Sequence, residues 1–488
     1  MSAEALLLTI LLLPLVGAAG IIITCRTPDV REGVTLLTSA LIAVLVVTLA
    51  ARIMDGEVFA LTLIEPLPGI AIAFKIEALG MLFALVAGLL WVVTSIYSIG
   101  YMRGHNEQNQ TRFFAAFAVS IAATMGIAFS ANLFTLFLFY ELLTLSTYPL
   151  VTHAGTPEAK RGGRAYLGIL LGTSIGLFLL GIMVTWSLTG RIDFQEGGIL
   201  SGHIDPAWAG LLYALFLFGI GKAAVMPFHR WLPAAMVAPT PVSALLHAVA
   251  VVKAGVFTLL KVTIYIFGGE FILSNDVTGG LIWVVAATIL IASMVAMTKD
   301  NLKARLAYST VSQLSYIALG AMLASKAGLM GASMHIAMHA FAKITLFFAA
   351  GAILVASHKK RVSELNGLGR AMPVTFVAFF IGTLSIIGLP PFGGMWSKWY
   401  LGLGAVETAQ LLLLAVLMIS SLLNIMYLLP IPIRAFFSKP ESGEHYTKIA
   451  EAPKSMLLAM VITSGACIIL FFYPDPFYRL AGMAAGGS

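Results

Sequence analysis

Charge is what this sequence has least of. Asp, Glu, Lys and Arg make up 10% of its 488 residues, where a soluble domain carries roughly a quarter. A water-facing surface cannot be assembled from so few. Cysteine is scarcer: Cys25 and Cys467 are the two in the chain, too few for the four thiolates of an iron–sulfur cluster. No CxxC pair and no glycine-rich dinucleotide fingerprint after a strand offers another route to a redox group. The chain is therefore expected to hold no cofactor and no metal, to carry no redox or hydrolytic centre, and to move no electrons by itself. A basic stretch ahead of the first apolar run is also missing, so residues 5–23 read as a first span and not as a cleaved signal.

What fills the chain instead is apolar: 59% of residues are hydrophobic and the mean hydropathy is +0.96. The apolar runs repeatedly reach the ~20 residues that a membrane helix needs. They predict an all-α polytopic membrane protein with about fourteen transmembrane helices, at 4–25, 34–53, 71–100, 113–130, 132–153, 165–189, 208–228, 237–267, 278–297, 306–325, 328–356, 373–404, 408–433 and 455–473. The net charge of +7 sits in short loops between these runs, which makes it a topology signal and argues against a nucleic-acid partner. Arg26, Arg103, Lys160, Arg230, Lys303, Lys360 and Arg434 fall on alternate loops, while Asp55, Asp193, Glu196 and Asp276 fall on the others. That alternation places both termini outside and the basic loops inside a prokaryotic inner membrane.

Against this background the intramembrane charges stand out. Lys75, Lys222, Lys253, Lys261, Lys343 and Lys398 lie within the predicted spans, with Glu77 and Glu141. Each costs roughly 2.5–3.5 kcal/mol at a helix centre on insertion scales, so several together imply a polar path between helices. Lys75 and Glu77 begin a span and can reach the interface, and Lys261 near a span end fits either reading. Glu141 lies too deep for that, as do Lys222, Lys253 and Lys398. A buried lysine releases its proton more readily and a neighbouring carboxylate restores it, so a Glu–Lys pair followed by further lysines is a set of coupled proton sites. His335, His339 and Lys343 recur every four residues on one helical face. Two histidines at that spacing can bind a metal, but no acidic or cysteine ligand accompanies them, and histidine titrates near neutral pH. A relay is the better reading, which His247, six residues before Lys253, extends.

Two spans contain strong breakers: Pro227, Pro233, Pro239 and Pro241 around the seventh and eighth, and Gly388-Leu389-Pro390-Pro391 in the twelfth. Proline removes a backbone donor, and the freed groups must face protein or water, not lipid. Each break adjoins a lysine, Lys222 or Lys398. Broken helices at matching places in two halves point to inverted repeats. The expected organisation is a three-helix segment at 1–112, five-helix repeats at 113–267 and 278–433, and a loop with a final helix at 434–488.

These pieces resemble the antiporter-like subunits of respiratory complex I, of Mrp-type cation/proton antiporters and of membrane-bound hydrogenases. The resemblance runs from about residue 70 to 430. It rests on Lys222 with Pro227-Phe228-His229-Arg230-Trp231-Leu232-Pro233, on Leu246-His247-Ala248 and Lys253, and on Ala307-Tyr308-Ser309-Thr310. His335, His339 and Lys343, and Gly388-Leu389-Pro390-Pro391 with Lys398, complete it. It implies two inverted five-helix repeats and a translocation machinery of Glu141 paired with Lys222, then Lys253 and Lys398, relayed by His247, His335, His339 and Lys343. It also implies other membrane subunits as partners, with H+ and Na+ as the ions moved. The lack of a long amphipathic helix after Tyr473 makes the D-type component of Mrp systems the best match, and a proton-pumping component of a complex I-type oxidoreductase or hydrogenase the alternative.

Overall fold

The structure, a computed structural model, describes residues 3–440, 446 and 448–486. Part of the predicted 434–488 segment therefore lies outside the described residues. Among those described, twelve helices are long and apolar enough to cross a bilayer. In chain order the elements begin with α1 (Ala3–Ile23), α2 (Pro28–Met54), β1 (Ala60–Leu67), β2 (Ile70–Lys75), α3 (Ala78–Gly104), α4 (Gln110–Phe129) and α5 (Leu133–Val151). The long α6 (Pro157–Thr189) follows, then the shorter apolar α7 (Pro206–Gly219) and α8 (Thr240–Phe267). The second half holds α9 (Gly279–Thr298), α10 (Leu302–Leu323), α11 (Lys326–Ser357), α12 (Pro373–Ile387), α13 (Gly394–Glu407), α14 (Leu411–Phe437), α15 (Lys454–Phe472) and α16 (Asp475–Ala484).

Burial sorts these helices into a core and a ring. A helix that is apolar all round must be surrounded by protein or lipid, and α8 is buried throughout while α11 is buried from Ala327 to Ile353. Around them, α6 and α14 turn Met183, Trp186, Met418 and Leu422 outward. The polar side chains of the core, among them His247, Lys253, Gln313, His339 and Lys343, are buried. Apolar residues outside and a polar seam inside is the arrangement that a hydrocarbon solvent selects.

The predicted third span begins too early. Residues 70–75 are a strand, paired antiparallel with β1 so that Ala60 faces Lys75, and the helix starts at Ala78. The alternation of Ile70, Ile72 and Phe74 suits a pleated strand, and Gly69 supplies the positive φ of the turn. The hairpin clamps the α4–α5 corner: Ala73 accepts from Ala131 N at 2.9 Å, and Ala71 accepts from Asn132 Nδ2 at 2.8 Å.

Both predicted breaks are present. The chain leaves α7 at Gly219 and does not resume a long helix until Thr240. It leaves α12 at Ile387 and re-enters helix at Gly394. The freed backbone groups find partners, as a bilayer demands: the N–H of Lys222 donates to Tyr140 Oη at 3.1 Å and the Gly221 carbonyl accepts from Trp231 Nε1 at 2.9 Å. Close approach seals the first break, because a Cβ on Gly255 of α8 would lie 2.3 Å from backbone atoms of Lys222 and Ala223.

That contact is testable. Gly255→Val forces the break away from α8 and is expected to cost about 1–3 kcal/mol or more, as overpacking does. Gly176→Ala, where an added Cβ meets nothing within 4 Å, serves as control. Melting temperature in detergent should fall by several degrees for the first and hold for the second.

Candidate functional site

Lysine in a bilayer interior needs oxygen or nitrogen around its ammonium, and each buried lysine here has found some. Lys222 sits on the short turn Gly221–Ala223 that ends α7, fully buried. Its Nζ donates to Tyr140 O at 2.8 Å and Thr144 Oγ1 at 2.6 Å, both on α5, and lies 3.1 Å from the centre of the Tyr140 ring.

The centre of the site joins the two core helices. Lys253 Nζ of α8 lies 2.7 Å from Nδ1 of His339 on α11. The four-residue spacing on α11 then does what a helix requires. The rings of His335 and His339 stack with centroids 5.6 Å apart, and Lys343 follows one turn on. Lys343 Nζ donates to Ser309 Oγ at 2.6 Å, and Ser309 also accepts from Tyr427 Oη at 2.9 Å. At the other end, His335 Nδ1 lies 2.8 Å from Ser397 Oγ, the residue before Lys398. The line thus reaches the second break without leaving hydrogen-bond or ring contact.

Lys398 closes that break. Its Nζ donates to the freed carbonyl of Ile387 at 3.1 Å and to Ser421 Oγ at 3.0 Å, 5.0 Å from the Tyr316 ring centre. Gly388 makes this possible, since it ends α12 with φ +90° and a Cβ there would come within 2.8 Å of the Lys398 stem. Beyond lies an apolar cleft of 590 Å³ between α12, α13 and α14, lined by Leu389, Trp399, Leu403 and Met418.

Two expected partners are not joined. Glu141 makes no ion pair within 4.0 Å among the described residues: Lys222 docks on the same turn of α5 but on the carbonyl of Tyr140. Both carboxylate oxygens of Glu141 are buried without a hydrogen-bond partner. The reason is rotation about α5. Glu141 shares its face with Leu138 and Leu145, which are exposed, so its side chain is directed along the outside of the bundle. His247 lies on a π turn, Leu245–Val249, with neither ring nitrogen bonded and its ring 4.7 Å from Phe347.

Sequence reasoning left other features unassigned. Lys261 is fully buried and paired with Glu77 at 3.3 Å; neither reaches an interface. Lys303, on the first turn of α10, donates to Ala238 O at 2.5 Å and lines a 370 Å³ cavity with Glu107, Lys359 and Lys360. At that mouth Glu107 lies 3.1 Å from His105 and 3.8 Å from His153. Burial, opposed in part by Glu107, holds the His153 imidazole below its ordinary range. The basic loop residues carried the signal for Lys303; Glu107 had none beyond its position.

The chain matches the family described as NADH:quinone oxidoreductase/Mrp antiporter, transmembrane, over residues 130–424, and the N-terminus of chain 5 of NADH-ubiquinone oxidoreductase (complex I) over 68–114. It is 31% identical to NADH-quinone oxidoreductase subunit N of Desulforudis audaxviator, across 96% of both chains. It is 32% identical to a Na(+)/H(+) antiporter component of Alkalihalophilus pseudofirmus over 84% of its own length, though it spans only 53% of that relative. Several chloroplast and cyanobacterial NAD(P)H-quinone oxidoreductase chain 5 relatives are likewise matched over about half their length. A chain of the Mrp complex from Dietzia sp. shares the fold with TM-score 0.87 at 24% identity, covering 100% of this chain and 97% of the other.

If the central lysines are kept for what they do and not for stability, removing the charge should not unfold the protein, since a well-packed apolar substitute for a buried ion is often neutral or stabilising. Lys253→Met and Lys343→Met are expected to melt at or above the wild-type temperature. A drop of several degrees in both would assign them a structural role.

Proposed function

Because the chain belongs to the NADH:quinone oxidoreductase/Mrp antiporter transmembrane family, we propose that it is a proton-translocating component of a multisubunit membrane assembly. The observation that carries this reading is the buried line from Lys253 through His339 and His335 to Ser397 and Lys398. Each member exchanges a proton or a hydrogen bond with the next, and moving one charge changes the proton affinity of its neighbours. Lys343 and His247 branch from the same centre. Lys222, with Glu141 on the adjoining turn of α5, is the second loading point. In this reading 113–267 and 278–433 are inverted five-helix repeats, each supplying one broken helix and one lysine.

Within the family we read the chain as the D-type component of an Mrp antiporter, exchanging H+ for Na+ or another monovalent cation across a prokaryotic inner membrane with both termini outside. The full-length similarity to an oxidoreductase component from Desulforudis audaxviator supports a second reading, in which the same helices belong to a redox-driven complex whose partner chains hold the cofactors. In both, a neighbouring chain covers the outward face of α5 around Glu141, because a buried, unpartnered carboxylate between exposed leucines needs protein against it, not lipid.

Glu141→Ala and Lys222→Ala are expected to reduce cation/proton exchange in everted vesicles at least about tenfold, the size of a lost essential proton site, with assembly intact. Wild-type rates in both would remove the basis of the proposal. Flavin or iron–sulfur absorbance in the purified assembly would select the redox-driven reading, and a colourless assembly the antiporter.

A further inference from the structure

One buried ion pair stands apart from the proton line. Glu77 follows β2 and caps the start of α3 in extended conformation, its side chain 8% exposed. Lys261 approaches from the last turns of α8. Its Nζ lies 3.3 Å from Glu77 Oε2 and 2.6 Å from the carbonyl oxygen of Ser130 at the α4–α5 corner. The environment is that of a cation: a carboxylate, a backbone carbonyl, and the Phe194 ring centre at 4.3 Å. Both oxygens of Glu77 are buried and accept no hydrogen bond, so their lone pairs are free for a metal. Thr258, one turn back along α8 on the same side as Lys261, carries a hydroxyl that is also buried and unbonded.

We propose that Glu77, the Ser130 carbonyl and the pocket around them form a monovalent-cation subsite, which the ammonium of Lys261 fills when no ion is bound. The argument is charge balance. Carboxylate and carbonyl oxygens are the ligands that hard cations prefer. In a low-dielectric site one carboxylate neutralises one positive charge, and a second is strongly disfavoured. Lys261 and a bound ion therefore exclude one another, the coupling that an exchanger needs between loading an ion and displacing an ammonium. The other charged or titratable groups around the pair are Lys75, Glu196 and Tyr265.

An approach from water is in place. Phe194 is buried over Lys261 on a loop whose flanking residues include the acidic Asp193 and Glu196. Their charge concentrates cations there. The loop is fixed by Phe194 N donating to Ala131 O at 3.0 Å and by the Asn132–Asp193 bridge. The Phe194 ring separates the acidic loop from the ammonium.

The inference takes its cargo from the exchange reading above, but its test needs no transport. Radiolabelled Na+ binding is measured on the purified full-length chain by scintillation proximity. Wild type is expected to bind saturably, Glu77→Gln at least about tenfold more weakly, and Lys261→Ala at least about tenfold more tightly. Glu77→Asp, which keeps the charge, should retain binding and separates loss of the site from loss of the fold. Unaltered binding in Glu77→Gln, or no binding by wild type and Lys261→Ala alike, would overturn the subsite while leaving the Glu141 and Lys222 results untouched. Na+ bound here together with wild-type exchange in those two variants would instead overturn the exchange reading.

Discussion

An ammonium taken out of water must be met by oxygen or nitrogen, and this requirement organises the core of the protein. A regular helix has no spare backbone carbonyls to offer, since each is used within the helix itself. The two interruptions, after Gly219 and after Ile387, release such groups inside the bundle, and a lysine sits at each. At the second break the freed Ile387 carbonyl is taken directly by Lys398. At the first, Tyr140 serves both parts of Lys222, its hydroxyl the backbone N–H and its carbonyl the ammonium. Break and lysine thus stabilise each other. Removing either leaves the other with an unsatisfied polar group in a medium that cannot solvate it.

Much of this could be read along the chain, because the membrane imposes strong and simple patterns. Span positions followed from the length of apolar runs, the breaks from Gly and Pro clusters, and the shared face of His335, His339 and Lys343 from a four-residue repeat. What failed to show was which charge meets which. Glu77 and Lys261 are far apart in sequence, and no periodicity connects them. Their meeting depends on the β1–β2 hairpin, a short piece of alternating residues that hydropathy alone assigns to a helix. Glu141 shows the opposite limit. Its depth was legible, but its direction around α5 was not, since a few tens of degrees of helix rotation decide whether a carboxylate faces a lysine or the outside of the bundle.

The two halves of the polar seam differ in how completely they are built. From Lys253 to Lys398, and along the Lys343–Ser309–Tyr427 branch, neighbouring groups are in direct contact and enclosed. Around Glu141 the seam opens onto an exposed apolar face, with a carboxylate that has no partner among the described residues of its own chain. A protein that finishes one end of its charged interior and leaves the other open is shaped to be continued by a neighbour.

The 32 residues of α11 make a rod about 48 Å long, well beyond the ~30 Å of hydrocarbon in a bilayer. A lipid-bathed rod of that length would tilt or bend to hide its excess, and its angle would then follow membrane thickness. Here the rod is sheathed in protein for nearly all its length, so acyl chains never touch it. Adjustment to thin or thick membranes falls to peripheral helices such as α6 and α14, and the spacing of His335, His339 and Lys343 is insulated from the lipid the cell supplies.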